Sequence, residues 1–178
     1  MKPSNHLLKG VAQAVVLIMF GFTLSCQQQA AIEQSEKEMK AIIEKLEYIW
    51  NSGDLAEIEE IFSPKWVHHS KDGVIDTLNI VGRKQFITSI RATYPDFTVK
   101  TKQLIIKNDM IVWHCTITGT YNGTDDDSPY TGKKINLPYV SIFRVANGKI
   151  VEDWRFWNEA LRFKQLGYTI TSPSITRD

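Results

Sequence analysis

The first candidate for proton-transfer chemistry is a carboxylate that lies among aromatic residues near the end of the sequence. Glu152 alternates with Trp154, Phe156 and Asn158. Residues two apart in a strand lie on one face, so these four side chains are predicted to share a surface. Burial beside apolar rings raises the pKa of a carboxyl group, which makes Glu152 a candidate general base.

Other polar residues of this segment offer less to proton transfer. Asn158 is a candidate site residue, but its amide has no proton-transfer pKa near neutrality and can only form hydrogen bonds. Asp153 and Glu159 point away from the Glu152 face on simple alternation. A β-bulge would change their direction.

Histidines are the second class of candidate acid/base groups. His68 and His69 are adjacent in a predicted strand, so only one of them can face inward, and the two imidazoles diverge too far to ligate one metal ion. His114 shares a face with Thr116 and Thr118, the more polar face of its strand, and is predicted to line a pocket. A hydrogen-bonded structural role is the alternative for both His68 and His114.

Apolar spacing predicts three helices ahead of the strands. Over residues 35–50, apolar residues recur at the i, i+3, i+4, i+7 spacing of an amphipathic helix. Asn51-Ser52-Gly53 ends that helix, and Asp54 can cap a second short helix through Phe62. Gly82 opens a third helix, which Tyr94-Pro95-Asp96 stops.

The rest of the sequence has the period of two that is typical of strands. A short strand is predicted over Lys65–Ser70, and four long ones follow the third helix: Phe97–Lys107, Met110–Tyr121, Lys134–Val145 and Lys149–Asn158. The connections between the long strands are too short for crossovers, which predicts an antiparallel sheet. Helices followed by a run of strands indicate an α+β domain.

Both faces of the long strands carry apolar residues, whereas a sheet with one solvent-exposed face would carry polar residues on that face. We therefore expect a curved, cone-shaped sheet with helices on one side and an enclosed pocket or a homodimer contact on the other. Four aromatic residues are candidate ligand contacts, and simple core packing is the alternative for them: Trp50, Tyr139, Trp154 and Phe156.

Composition excludes several classes of function. The 178 residues include 21 Lys and Arg against 20 Asp and Glu, so the chain lacks the strong positive charge that nucleic-acid binding needs. Two cysteines cannot form a disulfide framework or a cysteine zinc site. Phosphate-loop, dinucleotide-binding and serine-hydrolase motifs are absent from the sequence.

The N-terminal segment differs from the rest of the chain. Lys2 and Lys9 precede an apolar run over residues 11–24, which ends at Ser25 and Cys26. This pattern resembles a bacterial lipoprotein signal, so residues 1–25 are predicted to be removed and Cys26 to carry the lipid. Residues 26–35 would then form a tether in the cell envelope, facing the periplasm or the exterior. An ordinary signal peptide or an uncleaved anchor is the alternative.

A set of short motifs occurs in a fixed order along residues 36–168. They include Trp50-Asn51-Ser52-Gly53-Asp54-Leu55, the strand WVHHS, Tyr94-Pro95-Asp96-Phe97, Thr118-Gly119-Thr120, Tyr130-Thr131-Gly132-Lys133, Gly148-Lys149-Ile150-Val151-Glu152-Asp153-Trp154 and Gln165-Leu166-Gly167. In this order they resemble the SnoaL-like polyketide cyclase (ester cyclase) family. Residues 169–178 would be a C-terminal tail.

The resemblance implies a fold and a type of chemistry. The fold is the nuclear transport factor 2-like α+β cone, with His68 as the inward histidine. Characterised cyclases of the family close a ring by an intramolecular aldol reaction without a metal or organic cofactor. Their pattern places an acidic residue four positions after the tryptophan of the last strand, where this sequence has Asn158.

Three functions remain open from the sequence, of which the third is a partner-binding domain whose open sheet face forms a dimer. The first is an envelope-anchored, cofactor-free domain that binds a small hydrophobic or aromatic molecule and acts as a cyclase, isomerase or hydrolase, with Glu152 or a histidine moving protons. The second is a non-catalytic ligand-binding or assembly module, in which Asn158 only forms hydrogen bonds.

Overall fold

The computed structural model describes residues 5–70, 72–123 and 130–169. The chain divides into two compact units at the Glu38–Met39 junction.

Helix α1 spans Asn5–Ser52, so residues 26–35, expected to form a tether, are helical. In the described part of the chain, no helix is both long and apolar enough to cross a membrane. Residues 1–4 of the predicted signal and 170–178 of the predicted tail lie outside the described residues.

Three helices pack against the sheet of the second unit. The α1 residues of this unit bury the apolar stripe that the sequence predicted, including Ile43, Leu46 and Ile49. Helix α2, Ile58–Ile61, is shorter than expected, because the Asp54 carboxylate accepts a hydrogen bond from the Ala56 amide in a turn instead. Helix α3 spans Ile80–Thr93, and the Asn79 side chain caps it.

Six strands form one sheet. They are β1 (Phe62–His69), β2 (Ile75–Asn79), β3 (Thr98–Lys107), β4 (Met110–Thr120), β5 (Lys134–Ala146) and β6 (Lys149–Trp157). Strand β2 was not predicted, because it is a short edge strand whose side chains are mostly exposed and therefore lack an apolar pattern. A fourth helix, α4 (Glu159–Leu166), was also not predicted; Gly167 ends it with φ at 94°.

The sheet confirms the α+β class and corrects its strand directions. The strand order is β2-β1-β6-β5-β4-β3, with an open edge at each end. Four neighbouring pairs are antiparallel, as the short connections predicted. Strands β1 and β6 pair in parallel, so the sheet is mixed. The hairpin argument covered only consecutive strands and carried no information on two strands this far apart in the chain.

A β-bulge in β6 determines which side chains enter the core. Arg144 of β5 pairs with Glu152, whereas the next β5 residue pairs with Ile150, so Val151 is the extra residue. Ile150 and Asp153 are both fully buried, although simple alternation would place them on opposite faces. Beyond Val151, the core-facing positions are therefore the odd-numbered ones.

Candidate functional site

A cavity of about 400 Å³ lies between helices α1 and α3 and the core face of the sheet. Its walls are mainly aromatic and aliphatic, and its polar side chains are few. The lining residues are Trp50, His68, Arg83, Phe86, Ile90, Tyr94, Phe97, Val99, Trp113, Cys115, Ile117, Ile135, Leu137, Tyr139, Ser141, Phe143, Arg155, Trp157 and Arg162. An apolar cavity with a few convergent polar groups is the usual form of a small-molecule site.

Asp153 is the buried acid behind this cavity. Its side chain is 0% exposed and accepts three hydrogen bonds. Oδ1 accepts from Nδ1 of His68 at 2.8 Å and from Nε1 of Trp66 at 3.2 Å. Oδ2 accepts from Nε of Arg155 at 2.6 Å. Asp153 thus joins a cavity-lining histidine to a cavity-lining arginine.

The surroundings of Asp153 fix its protonation state and the position of one hydrogen on His68. Burial by itself raises the pKa of Asp153, but the hydrogen bonds and charges of His68, Arg155 and Arg83 outweigh burial and leave the pKa below its usual range. An ionised carboxylate only accepts hydrogen bonds, so Nδ1 of His68 carries the hydrogen. In a neutral imidazole this leaves Nε2 as the basic nitrogen.

Two buried guanidinium groups stand beside this pair. Arg83 is 4% exposed and Arg155 is 7% exposed. Burial, followed by the charge of Arg155, lowers the pKa of Arg83 to about 9, so Arg83 is charged at neutral pH. Nε and Nη1 of Arg83 and Nη2 of Arg155 are buried and find no hydrogen-bond partner among the described residues.

Three of the predicted site residues line the cavity. His68 faces it from β1, Tyr139 from β5 and Trp50 from α1. The Tyr139 ring stacks on Trp157, with centroids 5.9 Å apart, and the Trp50 ring lies 5.4 Å from that of Phe97.

Glu152, Trp154 and Phe156 lie on the opposite face of the sheet, which we call the outer face. Glu152 accepts hydrogen bonds from His69 Nε2 and Arg144 Nε, both at 2.7 Å, and Trp154 stacks on His69. Phe156 is exposed. The three residues share one face, as alternation predicted, but the prediction that this face is a cavity wall is wrong. The bulge at Val151 places Ile150 and Asp153 on the core face and leaves Glu152 on the outer one. A homodimer through the sheet face stays a prediction.

His114 and Asn158 also lie away from the cavity. On β4 the lining residues are Trp113, Cys115 and Ile117, so His114 is on the outer face. The polar face of this strand was predicted to line the pocket; the apolar face does so instead. The Asn158 side chain caps α4 by accepting a hydrogen bond from the Leu161 amide at 2.9 Å. That contact gives the amide a structural role at the end of the sheet.

Sequence reasoning missed Asp153, Arg155 and Arg83. A signal for the first two was present, because an acid and a base two residues apart share a strand face and can form an ion pair. Arg83 lies beside Lys84 in α3, and the sequence gave no indication that its side chain would be buried. Across the described ranges, no three His, Cys, Asp or Glu side chains are grouped so that they could hold a metal ion.

Comparison with known proteins agrees with this architecture. AclR, a hydroxylase candidate from Streptomyces galilaeus, is 26% identical, with 74% of this chain and 96% of that one covered and a TM-score of 0.63. IdmH, a polyketide cyclase candidate from Streptomyces antibioticus, is 24% identical, with coverages of 72% and 98% and a TM-score of 0.63.

A third structure shares the fold, and a family model covers most of the chain. The structure, a polyketide cyclase candidate from Acidithiobacillus ferrooxidans, is 20% identical, with coverages of 72% and 94% and a TM-score of 0.64. No curated protein matches the chain. The model for SnoaL-like polyketide cyclases matches residues 40–166, which include every cavity-lining residue. The chain therefore belongs to the SnoaL-like polyketide cyclase family.

Proposed function

We propose that the domain binds a small hydrophobic or aromatic carbonyl compound and moves a proton at the carbon beside the carbonyl group, as a cyclase or isomerase does. The observation that carries this proposal is the hydrogen bond between Asp153 and His68 at the wall of an aromatic cavity. A volume of about 400 Å³ fits a compound of two or three fused rings.

His68 is the proposed acid/base group. The Asp153 carboxylate holds the Nδ1–H tautomer, so Nε2 is the atom that removes a proton from the substrate. Asp153 then stabilises the imidazolium that forms, as a buried carboxylate does in histidine-based catalytic sites. In a cyclase the enolate carbon attacks a second carbonyl group of the substrate, and the resulting alkoxide takes the proton back from Nε2–H. In an isomerase another carbon of the enolate system takes it back.

The two arginines supply the second part of the chemistry. Removing a proton beside a carbonyl group places negative charge on the carbonyl oxygen. The buried, partly unpaired guanidinium groups of Arg83 and Arg155 supply positive charge at the same cavity. A fixed cation in an apolar site stabilises such a charge more than water does.

Hydrogen exchange at a simple ketone tests the proposed chemistry without knowledge of the natural substrate. We expect the protein to accelerate deuterium uptake by 2-tetralone in D₂O, followed by NMR. A general base contributes about a hundredfold or more, so His68→Gln should reduce the exchange by that factor. His69→Gln is the matched control, because His69 is the next residue but lies on the outer face.

The outcome separates catalysis from the alternative function. Equal exchange rates in the His68→Gln and His69→Gln proteins would remove His68 from the mechanism. Binding of 2-tetralone without accelerated exchange would leave a non-catalytic ligand-binding module. Quenching of the cavity tryptophans, Trp50, Trp113 and Trp157, measures that binding.

We also propose that the protein is a bacterial envelope lipoprotein anchored through Cys26. The support is the charged start, apolar run and Ser25-Cys26 pair in the sequence. Two or more acyl chains anchor a protein stably where one would not. Growth with an alkyne fatty acid should label the wild-type protein and the Cys115→Ser variant, but not Cys26→Ser. Labelling of the Cys26→Ser protein would contradict the proposal, as would normal processing in the presence of globomycin.

A further inference from the structure

We propose that the ligand of this cavity is an organic anion, an aromatic or apolar monocarboxylate whose carboxylate group is held by Arg83 and Arg155. This inference rests on the proposed function, because it assumes that the cavity is the ligand site. It adds the charge of the ligand and the two residues that recognise it.

The charge balance of the cavity favours an anion. Three lining residues are arginines, and the lining set contains no Asp or Glu. Asp153, behind the wall, balances one of the two buried guanidinium groups through its hydrogen bond to Arg155. Arg162 has its own partner in Glu159 at 3.1 Å. The positive charge of Arg83 is left without a matching carboxylate among the described residues.

The unpartnered hydrogen-bond donors of Arg83 and Arg155 also favour an anionic ligand. A buried polar group without a partner is unfavourable, and these two side chains hold three such nitrogens. Two belong to Arg83, Nε and Nη1, and the third is Nη2 of Arg155. A carboxylate presents two oxygens with about four acceptor sites, which suits several N–H donors at once.

Aromatic rings hold Arg83 without using its donors. Its guanidinium carbon lies 4.9 Å from the ring centre of Phe62 and 5.3 Å from that of Trp50. Cation–π contacts of this kind attract the charge through the ring face. The guanidinium carbons of Arg83 and Arg155 lie 5.9 and 5.7 Å from the same ring, Phe86. Both cations line the same cavity, and the charge of Arg155 acts on Arg83, so the two guanidinium groups face the same ligand space.

The walls and the net charge specify the kind of anion. A monocarboxylate cancels the single excess charge and leaves N–H donors of the two guanidinium groups for the carbonyl oxygen, whereas a phosphate dianion would leave a buried negative charge uncompensated. The mainly aromatic lining requires that the rest of the ligand be apolar or aromatic.

A matched pair of ligands tests the inference. We use 2-naphthoate and its neutral counterpart 2-naphthamide, with binding measured by calorimetry on the full chain. Charge-assisted hydrogen bonds predict that the wild-type protein binds naphthoate about 10- to 100-fold more tightly than naphthamide. Arg83→Met, of similar length and without charge, should abolish this preference, whereas Arg83→Lys should retain part of it.

A second readout uses only the wild-type protein. With ¹⁵N-labelled arginine, the Nε–H resonance of Arg83 should move on addition of naphthoate and not on addition of naphthamide. This measurement does not depend on whether the Arg83→Met protein folds, and circular dichroism establishes that separately.

Each outcome has a defined meaning. Equal or weaker binding of naphthoate in the wild-type protein would overturn the anion inference and leave the proposed function of the cavity intact. Binding of neither compound would overturn both. An unchanged preference in a folded Arg83→Met protein would show that Arg83 does not recognise the carboxylate and would overturn the assignment.

Discussion

His68 and Asp153 are a cross-strand pair, and Nδ1 of His68 donates a hydrogen bond to Oδ1 of Asp153 at 2.8 Å. They lie on β1 and β6, which are the only parallel neighbours within the described sheet. The next residues, His69 and Trp154, are also a register pair and stack on the outer face with ring centres 4.5 Å apart. Two adjacent histidines thus acquire different surroundings from one strand pairing.

The ionised state of Asp153 predicts a pH-dependent stability. Its folded-state pKa lies below the ordinary value of 3.8, so its contribution to the free energy of unfolding is complete above that value and is lost as the pH falls through the folded-state pKa. Asp153→Asn should destabilise the fold by about 3 kcal/mol at pH 7, because Arg155 loses its buried partner. Urea unfolding of the two proteins at pH 7, 5 and 3.5 should give a smaller deficit at pH 3.5 than at pH 5. A deficit that grows between pH 5 and pH 3.5 would contradict the assignment.

Glu152 offers the contrasting case on the outer face. The hydrogen bond from His69, followed by that from Arg144, lowers the pKa of Glu152 below 4.5 despite partial burial. The Arg144 side chain is 42% exposed, and exposed ion pairs contribute little. Glu152→Gln should therefore cost no more than about 1 kcal/mol above pH 5, and that cost should fall on acidification below pH 4.5. It should leave 2-tetralone exchange unchanged; a hundredfold loss would return Glu152 to the mechanism.

The contrast between Asp153 and Glu152 shows what could and could not be predicted from the sequence. The amphipathic part of α1, helix α3 and the four long strands follow from apolar spacing and turn residues, and the structure confirms them. Spacing alone could not show that Val151 is an extra residue in β6, since a bulge is visible only against the register of the partner strand. That one residue decides whether Glu152 or Asp153 is buried with His68.

Two other features could not be predicted without the three-dimensional structure. Strand β2 is short and exposed, so the hydrophobic pattern did not mark it. Arg83 lies in the amphipathic helix α3. The burial of its side chain depends on aromatic rings contributed by α1, β1 and α3. The residues next to Arg83 in the sequence give no indication of such contacts.

Gly119 provides a test of the packing around the cavity. A Cβ atom there would lie 2.9 Å from Cβ of Tyr94, a buried residue that lines the cavity. Cβ is fixed to the backbone and cannot turn aside, so Gly119→Ala should destabilise the fold by about 1 to 3 kcal/mol. Thermal unfolding measures this effect. Gly82→Ala is the control: its Cβ would meet Asn79 Oδ1 at an ordinary 3.7 Å, and alanine favours the α3 helix. Equal stabilities of the two variants would contradict the predicted clash.

Cys115 reports on whether the cavity wall is closed to solvent. Burial, followed by the charge of Glu47, raises the pKa of its thiol to about 12, and the side chain is 0% exposed. Because the thiolate is the reactive form, alkylation at pH 8 should be at least about a hundredfold slower in the folded protein than in guanidinium chloride. The Cys26→Ser variant makes Cys115 the sole thiol of the chain, and mass spectrometry follows its reaction with iodoacetamide. Labelling at the same rate in both conditions would mean that the β4 wall opens readily, and the cavity would then lack the water-excluding surface that His68 and the two arginines need.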